Sequence, residues 1–151
     1  MKNYLELKNV TFRYGAEVIV EQLDFAVKKG EFVVLIGPSG CGKSTLLSLA
    51  AGLVKPETGE VLMDGERLDG PTLKTSVIFQ HNSLFPWMTV EKNVRFGLKQ
   101  AKPELSKKKQ KERSLKALRQ VGLLEAAKKY PAELSGGMQQ RTAIARMLAM
   151  D

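Results

Sequence analysis

The sequence predicts an α/β chain in two parts, a β-rich half built around a glycine loop and a helical half after it. Three observations carry this. A short apolar run rich in β-branched residues, Glu31–Ile36, leads directly into a glycine loop and then a stretch of helix formers. Ahead of it, two stretches alternate apolar and polar residues with the period of a half-buried strand. Beyond about residue 80 the apolar spacing turns helical. The expected division is therefore 1–80 for the β-rich part and 81–151 for the helical part.

In chain order, Tyr4–Val10 places Leu5, Leu7 and Val10 among polar neighbours, as a half-buried strand does. A turn at Thr11–Gly15 leads to a second β segment, Glu17–Val27, with Val18, Val20, Leu23, Phe25 and Val27 mostly alternating. Tyr14 sits in that turn, as core packing or as a stacking platform for a base; spacing alone favours packing. Lys28-Lys29-Gly30 reads as a turn into Glu31–Ile36, a strand of the kind buried on both faces.

The loop that follows is Gly37-Pro38-Ser39-Gly40-Cys41-Gly42-Lys43-Ser44-Thr45. It satisfies the phosphate-loop pattern G-x-x-x-x-G-K-[ST] at every constrained position, between the expected strand and the expected helix. Glycines 37, 40 and 42 let the backbone turn and approach a phosphate with no Cβ in the way. The amides of about residues 40–45 then face an anion at a helix N-terminus. Lys43 reaches the β- and γ-phosphates and the Ser44 hydroxyl ligates Mg²⁺. Residues 44–52 carry Leu46, Leu47, Leu49, Ala50 and Ala51 and end at Gly52, suited to a C-terminal cap. These residues imply a nucleoside triphosphate as ligand. Cys41 is the only cysteine, so no internal disulfide forms.

Glu60–Gly65 reads as a strand with its turn, and Thr75–Phe79 as a second buried strand ending at Gln80. A strand's C-terminal end is where ligands bind in open α/β sheets, which suits Gln80 to Mg²⁺ or an attacking water. His81 has no metal-type neighbour in sequence and reads as solvated. Leu84-Phe85-Pro86-Trp87-Met88 is an apolar cluster in a loop, followed by Thr89 as N-cap. Such a cluster either packs under the domain or docks another protein. Lys107–Val121 reads as a helix with Leu115 and Leu118 on one side, closed by Gly122. Tyr130-Pro131 breaks the chain. Ser135 caps a last helix whose apolar stripe is Ala143, Ile144, Met147 and Leu148.

The formal net charge of +8 is concentrated. Between Lys99 and Arg119 nine basic residues stand against two acidic ones. One basic segment suits a solvated helix face first, with anionic lipid or RNA behind it. At 43% hydrophobic and 26% charged, the composition is that of an ordinary globular chain. No apolar run approaches the roughly twenty residues that span a bilayer.

Leu134-Ser135-Gly136-Gly137-Met138-Gln139-Gln140-Arg141 closely resembles the signature of ABC-type ATPases, and it follows Lys43 and Gln80 in that family's order. The resemblance covers the whole chain and implies a P-loop NTPase core with an antiparallel β part and a helical subdomain. It makes Tyr14 the aromatic that stacks on adenine, against the reading from spacing. Gln80 becomes the sensor of the γ-phosphate through Mg²⁺. Ser135, Gly136 and Gly137 complete the ATP site of a second subunit in a head-to-tail dimer. Met138 departs from the family, which usually has Gln there. The stretch from Phe85 to Val94 looks like importers of the nitrate, sulfonate and taurine group, and lies where the family docks its membrane subunits. The implied protein is an energy-coupling ATPase subunit of an importer, using ATP and Mg²⁺. It would be peripheral on the inner face of the cell membrane, with permease subunits as partners, a solute-binding protein indirectly, and no nucleic acid. The alternatives are a soluble ABC ATPase acting on RNA, DNA or a ribosome, and a nucleotide-binding piece without turnover. The family's next strand, with its Mg²⁺-binding aspartate and catalytic glutamate, would follow Asp151. The expectation is an ATPase core incomplete at the C-terminus, with an unpaired sheet edge, weak nucleotide binding and little turnover.

Overall fold

The computed structural model of the chain describes residues 3–72, 75–79 and 84–150. The chain divides into two compact units, Met1–Thr75 and Ser76–Asp151.

The first unit is built on two long strands, β1 (Asn3–Tyr14) and β2 (Glu17–Lys28). They pair antiparallel from Asn3 opposite Lys28 to Tyr14 opposite Glu17, joined by a two-residue turn in which Gly15 has φ 59°. Strand β3 (Thr58–Met63) pairs with the other side of β1, and the short β4 (Glu66–Arg67) closes a hairpin onto β3. The sheet order is β2-β1-β3-β4. The β3–β4 turn is Asp64-Gly65, with φ 52° and 83°. Two consecutive positive φ values are what a tight hairpin with the native twist requires, and Asp-Gly supplies them with little strain.

One face of this sheet is covered by α1 (Lys43–Ala50). Leu7, Val10, Leu49 and Val61 form the buried core there, with Leu5, Phe12, Val20, Leu23, Phe25 and Leu46 packed around them. Leu7, Val10 and Leu49 are wholly removed from water, which contributes about 2 kcal/mol each. Helix α1 ends in a Schellman cap: the Leu53 amide donates to Ser48 O at 2.9 Å and the Gly52 amide to Leu49 O at 3.0 Å. Gly52, at φ 71°, is required on two counts, since a Cβ there would also lie 2.6 Å from Gly70 O.

Two expected strands are absent. Residues 31–36 make no ladder, and Phe32 and Ile36 are 90% and 92% exposed. Residues 75–79 make none either, and Phe79 is 54% exposed. Neither run has a partner strand among the described residues. An apolar strand of the doubly buried kind exists only when neighbours take up its amides and carbonyls, so the pattern alone does not make one.

The second unit packs three helices, α2 (Val90–Ala101), α3 (Lys107–Gln120) and α4 (Gly136–Met150). Thr89 and Ser106 cap the first two through their side-chain oxygens, and α3 ends at Gly122 in a second Schellman cap. Val90, Val94, Leu98, Leu118, Leu123, Leu134, Ala145 and Ala149 belong to one buried cluster. The stripe expected on α4 is corrected here. Ile144 and Leu148 are exposed, and the buried positions are Thr142, Ala143, Ala145 and Ala149. Small residues face inward because α2 and α4 run close. A Cβ on Gly97 of α2 would lie 2.6 Å from Arg146 Cγ on α4.

Candidate functional site

The phosphate loop follows the irregular segment 31–36, beyond the turn at residues 29–30, and ends in α1. Gly40 and Gly42 sit at φ 83° and 85°, in the left-handed region where any other residue is strained. Gly42 is the N-cap of α1 and brings no side chain to cap it. Its carbonyl takes the Leu46 amide at 2.8 Å, so the helix starts cleanly while the amides of Lys43, Ser44 and Thr45 stay free of helical partners. Three N–H groups at the positive end of a helix dipole form an anion cradle. There is little room for side chains here: a Cβ on Gly37 would lie 2.8 Å from Cys41 Sγ, and one on Gly42 would lie 3.1 Å from Ile19 Cγ2 and 3.2 Å from Ile19 O.

Lys43 is folded back along the loop. Its Nζ donates to Gly37 O at 2.8 Å and Pro38 O at 2.5 Å, with Cys41 Sγ at 3.5 Å. Ser44 and Cys41 are exposed, whereas Thr45 is buried beneath the loop. A cleft of about 480 Å³ opens beside it, lined by Ile19, Glu21, Val34, Ile36, Cys41 and Lys43 among others. Its walls are apolar apart from Glu21 and Lys43. The residues present thus fit a phosphate at the amides, with the Ser44 hydroxyl free for a cation held by that phosphate.

Tyr14 ends β1 and is 56% exposed, its ring edge-on to Phe12 with centroids 4.9 Å apart. Spacing alone would bury it, but at the end of β1 it stays exposed, leaving one face for another group. It does not line the cleft. Gln80 and His81 lie outside the described residues.

The signature residues belong to the second unit. Tyr130-Pro131 starts a single 3-10 turn, Pro131–Glu133, held by the Tyr130 amide on Glu133 Oε2 at 2.6 Å. Ser135 follows as the cap of α4: its Oγ accepts from the Met138 amide at 3.3 Å. Gly136 and Gly137 are exposed, with open space where a Cβ would stand, so their amides form a second outward-facing helix start. Gln139, to which sequence reasoning gave no role, fastens this turn from behind, its Nε2 donating to Pro131 O at 3.0 Å. Met138, the departure from the family pattern, packs half-buried against the helical core.

The apolar loop splits by function. Leu84 is core, Phe85 is half-buried, and Trp87 is 70% exposed. Sequence reasoning missed what holds it. Asn93, fully buried on α2, accepts from the Phe85 amide at 2.7 Å and donates to Phe85 O at 3.1 Å, Met88 O at 3.0 Å and Thr89 O at 3.2 Å. Arg146 on α4 donates to Asn93 Oδ1 at 3.3 Å and stacks over the Phe85 ring at 5.7 Å. Burial pushes its guanidinium below the ordinary arginine range. No motif in the sequence marks either residue; their roles show only in the packing around the loop.

Residues 20–151 match the family described as ABC transporter. An ATP-binding protein of Brucella abortus is 46% identical over 149 residues, which is 99% of this chain and 56% of that protein. The spermidine/putrescine import ATP-binding protein PotA of Bacillus cereus is 47% identical over 151 residues, 98% of this chain and 46% of PotA. The chain spans about half the length of these curated relatives. Among solved structures, CbiO1 of Clostridium perfringens, part of the transporter complex CbiONQ, superimposes with a TM-score of 0.84 at 27% identity, covering 99% of this chain and 62% of that one. A dimeric ATP-binding cassette in a post-hydrolysis state with ADP and Pi bound gives 0.81 at 34% identity, covering 96% and 69%. The fold is therefore that of a P-loop NTPase of this type, of which the chain covers part.

Proposed function

The chain belongs to the ABC transporter family, and from that premise we propose that it is the nucleotide-binding part of an energy-coupling ATPase subunit of an importer. The observation that carries this is α1, a helix opened by Gly42 with no side-chain cap on its first amides, with Lys43 Nζ lying along the loop on the carbonyls of Gly37 and Pro38. ATP would seat its β- and γ-phosphates on residues 40–45, with Lys43 offering its ammonium to a phosphate oxygen from its place on the carbonyls of Gly37 and Pro38. Ser44 and Gln80 are the residues that would hold Mg²⁺, which would supply charge neutralisation during phosphoryl transfer. Tyr14 would stack on the base through its open face.

Ser135, Gly136 and Gly137 would face the nucleotide of a second subunit, their amides offering a second anion site. The relative solved as a dimer and the relative within a multisubunit transporter support this assembly. The Phe85–Val94 stretch, with Trp87 outward, is the surface proposed for a permease subunit. Its likeness to importers of the nitrate, sulfonate and taurine group supports a place in that group, and a spermidine/putrescine import ATP-binding protein, PotA, is among the relatives. Hydrolysis, transport, a solute-binding protein and a place on the inner membrane face are proposed for the whole protein.

Titration calorimetry with MgATP on this chain and on Lys43→Ala tests the reading. Binding by the parent chain, weakened at least about tenfold in the variant, is expected from the loss of a charge-assisted phosphate contact. Equal binding by both would refute the assignment of the loop.

A further inference from the structure

In the second unit, the exposed side of α3 is strongly basic. Lys107, Lys108, Lys109, Lys111, Lys116 and Arg119 are all exposed, and none forms an ion pair among the described residues. The first turn of α3 carries Lys107, Lys108 and Lys109 and no acidic residue. That is the positive end of the helix dipole, where acidic side chains stabilise and lysines do the reverse. A local rule broken this way, with no compensating partner inside the fold, marks a surface selected for something other than stability.

Three features define the anion it suits. Residues 99–119 include no aromatic side chain, so there is no platform on which nucleic-acid bases would stack. Seven of the nine basic residues are lysines. These are hydrated point charges, not planar forks that grip single phosphates through paired bonds. A spread array of such charges on a convex helix matches the spread phosphates of a lipid surface. Finally, α3 borders the aromatic loop: Gln110 lines a groove of about 170 Å³ together with Met88, Lys92, Arg95, Phe96 and Lys99. A loop docked on a membrane-embedded partner would hold the start of α3 near the headgroup layer.

We propose that the lysine face of α3 binds anionic phospholipid headgroups beside the membrane partner. Its placement beside that partner rests on the docking surface proposed above, whereas the lipid binding does not.

The test is co-sedimentation of this chain with vesicles of phosphatidylcholine containing roughly a third phosphatidylglycerol, against phosphatidylcholine alone. Two triple variants are compared: Lys107→Gln, Lys108→Gln, Lys111→Gln on α3, and Lys28→Gln, Lys29→Gln, Lys55→Gln, which removes equal charge from the exposed surface of the other unit. Binding to the anionic vesicles is expected, falling with added salt. Each lysine at such a surface is worth about a fivefold factor, so the α3 triple should weaken binding about a hundredfold and the other triple far less. Equal losses in both triples, equal binding to neutral vesicles, or tighter binding of an RNA oligonucleotide at the same salt would overturn the proposal. Trp87→Ala is expected to leave vesicle binding unchanged while abolishing capture of a permease subunit, so the two readings fail separately.

Discussion

Asn93→Ala is the substitution whose consequence the structure specifies most fully. Asn93 is completely buried, and its amide group makes five contacts: one accepted from Phe85 N, three donated to Phe85 O, Met88 O and Thr89 O, and one accepted from Arg146. One of the five is redundant, because Thr89 O also takes the Asn93 main-chain amide at 2.8 Å. Truncation leaves the Phe85 amide without its 2.7 Å acceptor, which costs about 1–3 kcal/mol in a site closed to water. The Phe85 and Met88 carbonyls and the desolvated guanidinium each lose a bond, for a total of about 3 kcal/mol. The assay is a urea titration followed by fluorescence of Trp87, the chain's one tryptophan, which lies in the loop being released. With a urea slope of about 1–3 kcal/mol per molar, the midpoint should fall by roughly 1–3 M. Thr89→Ala is the comparison. It removes only a cap bond of 3.4 Å and should cost about 1 kcal/mol or less. If Asn93→Ala moves the midpoint no further than Thr89→Ala does, the loop is held by something other than this side chain and the reasoning fails.

Three further outcomes follow from the packing. Gly52→Ala should destabilise the first unit by about 2 kcal/mol or more in a thermal melt, because φ 71° and a backbone oxygen 2.6 Å from the new Cβ cannot both be relieved. Gly97→Val should cost about 1–3 kcal/mol by the same measurement, since it drives the Arg146 stem and Met150 away from α2. Gly97→Ala should be much milder, because a flexible stem can shift and alanine favours the helix by about 1 kcal/mol. Met138→Gln restores the family's residue but exchanges a half-buried apolar side chain for a polar one. A loss of about 1 kcal/mol in stability is expected, with calorimetric MgATP binding at the phosphate loop unchanged.

What could be read from the sequence was whatever is decided locally. The β1–β2 hairpin, the Asp64-Gly65 turn, both glycine-capped helix ends and the capping oxygens of Thr89 and Ser135 are each fixed by residues within a few positions of one another. The phosphate loop is legible for the same reason, since its glycines and lysine act on their own backbone. Glu31–Ile36 and Thr75–Phe79 failed because a doubly buried strand is stabilised by neighbours far away in sequence. The α4 stripe failed through a contact between helices: Gly97 brings α2 so close that alanines, not Ile144 and Leu148, fit the inner face. Tyr14 misled spacing because it is the last residue of β1 and not part of the turn, at the strand's end, where the ring stays 56% exposed. Asn93 and Arg146 carried no motif, and only the loop carbonyls around them show why they are there.

The posture of Lys43 bears on how a loss of this side chain should be understood. By lying on the oxygens of Gly37 and Pro38, the ammonium masks two negative ends of peptide dipoles at the mouth of an otherwise amide-lined loop. Removing it does more than subtract an attraction. It unveils two acceptors that repel an incoming phosphate, so the rim changes sign. A neutral side chain of the same length would fill the space yet leave that repulsion standing, and a guanidinium, with its wider fork, would not sit on both oxygens in the same way. The lysine is thus as much a shield for the loop's own backbone as a hand extended to the ligand.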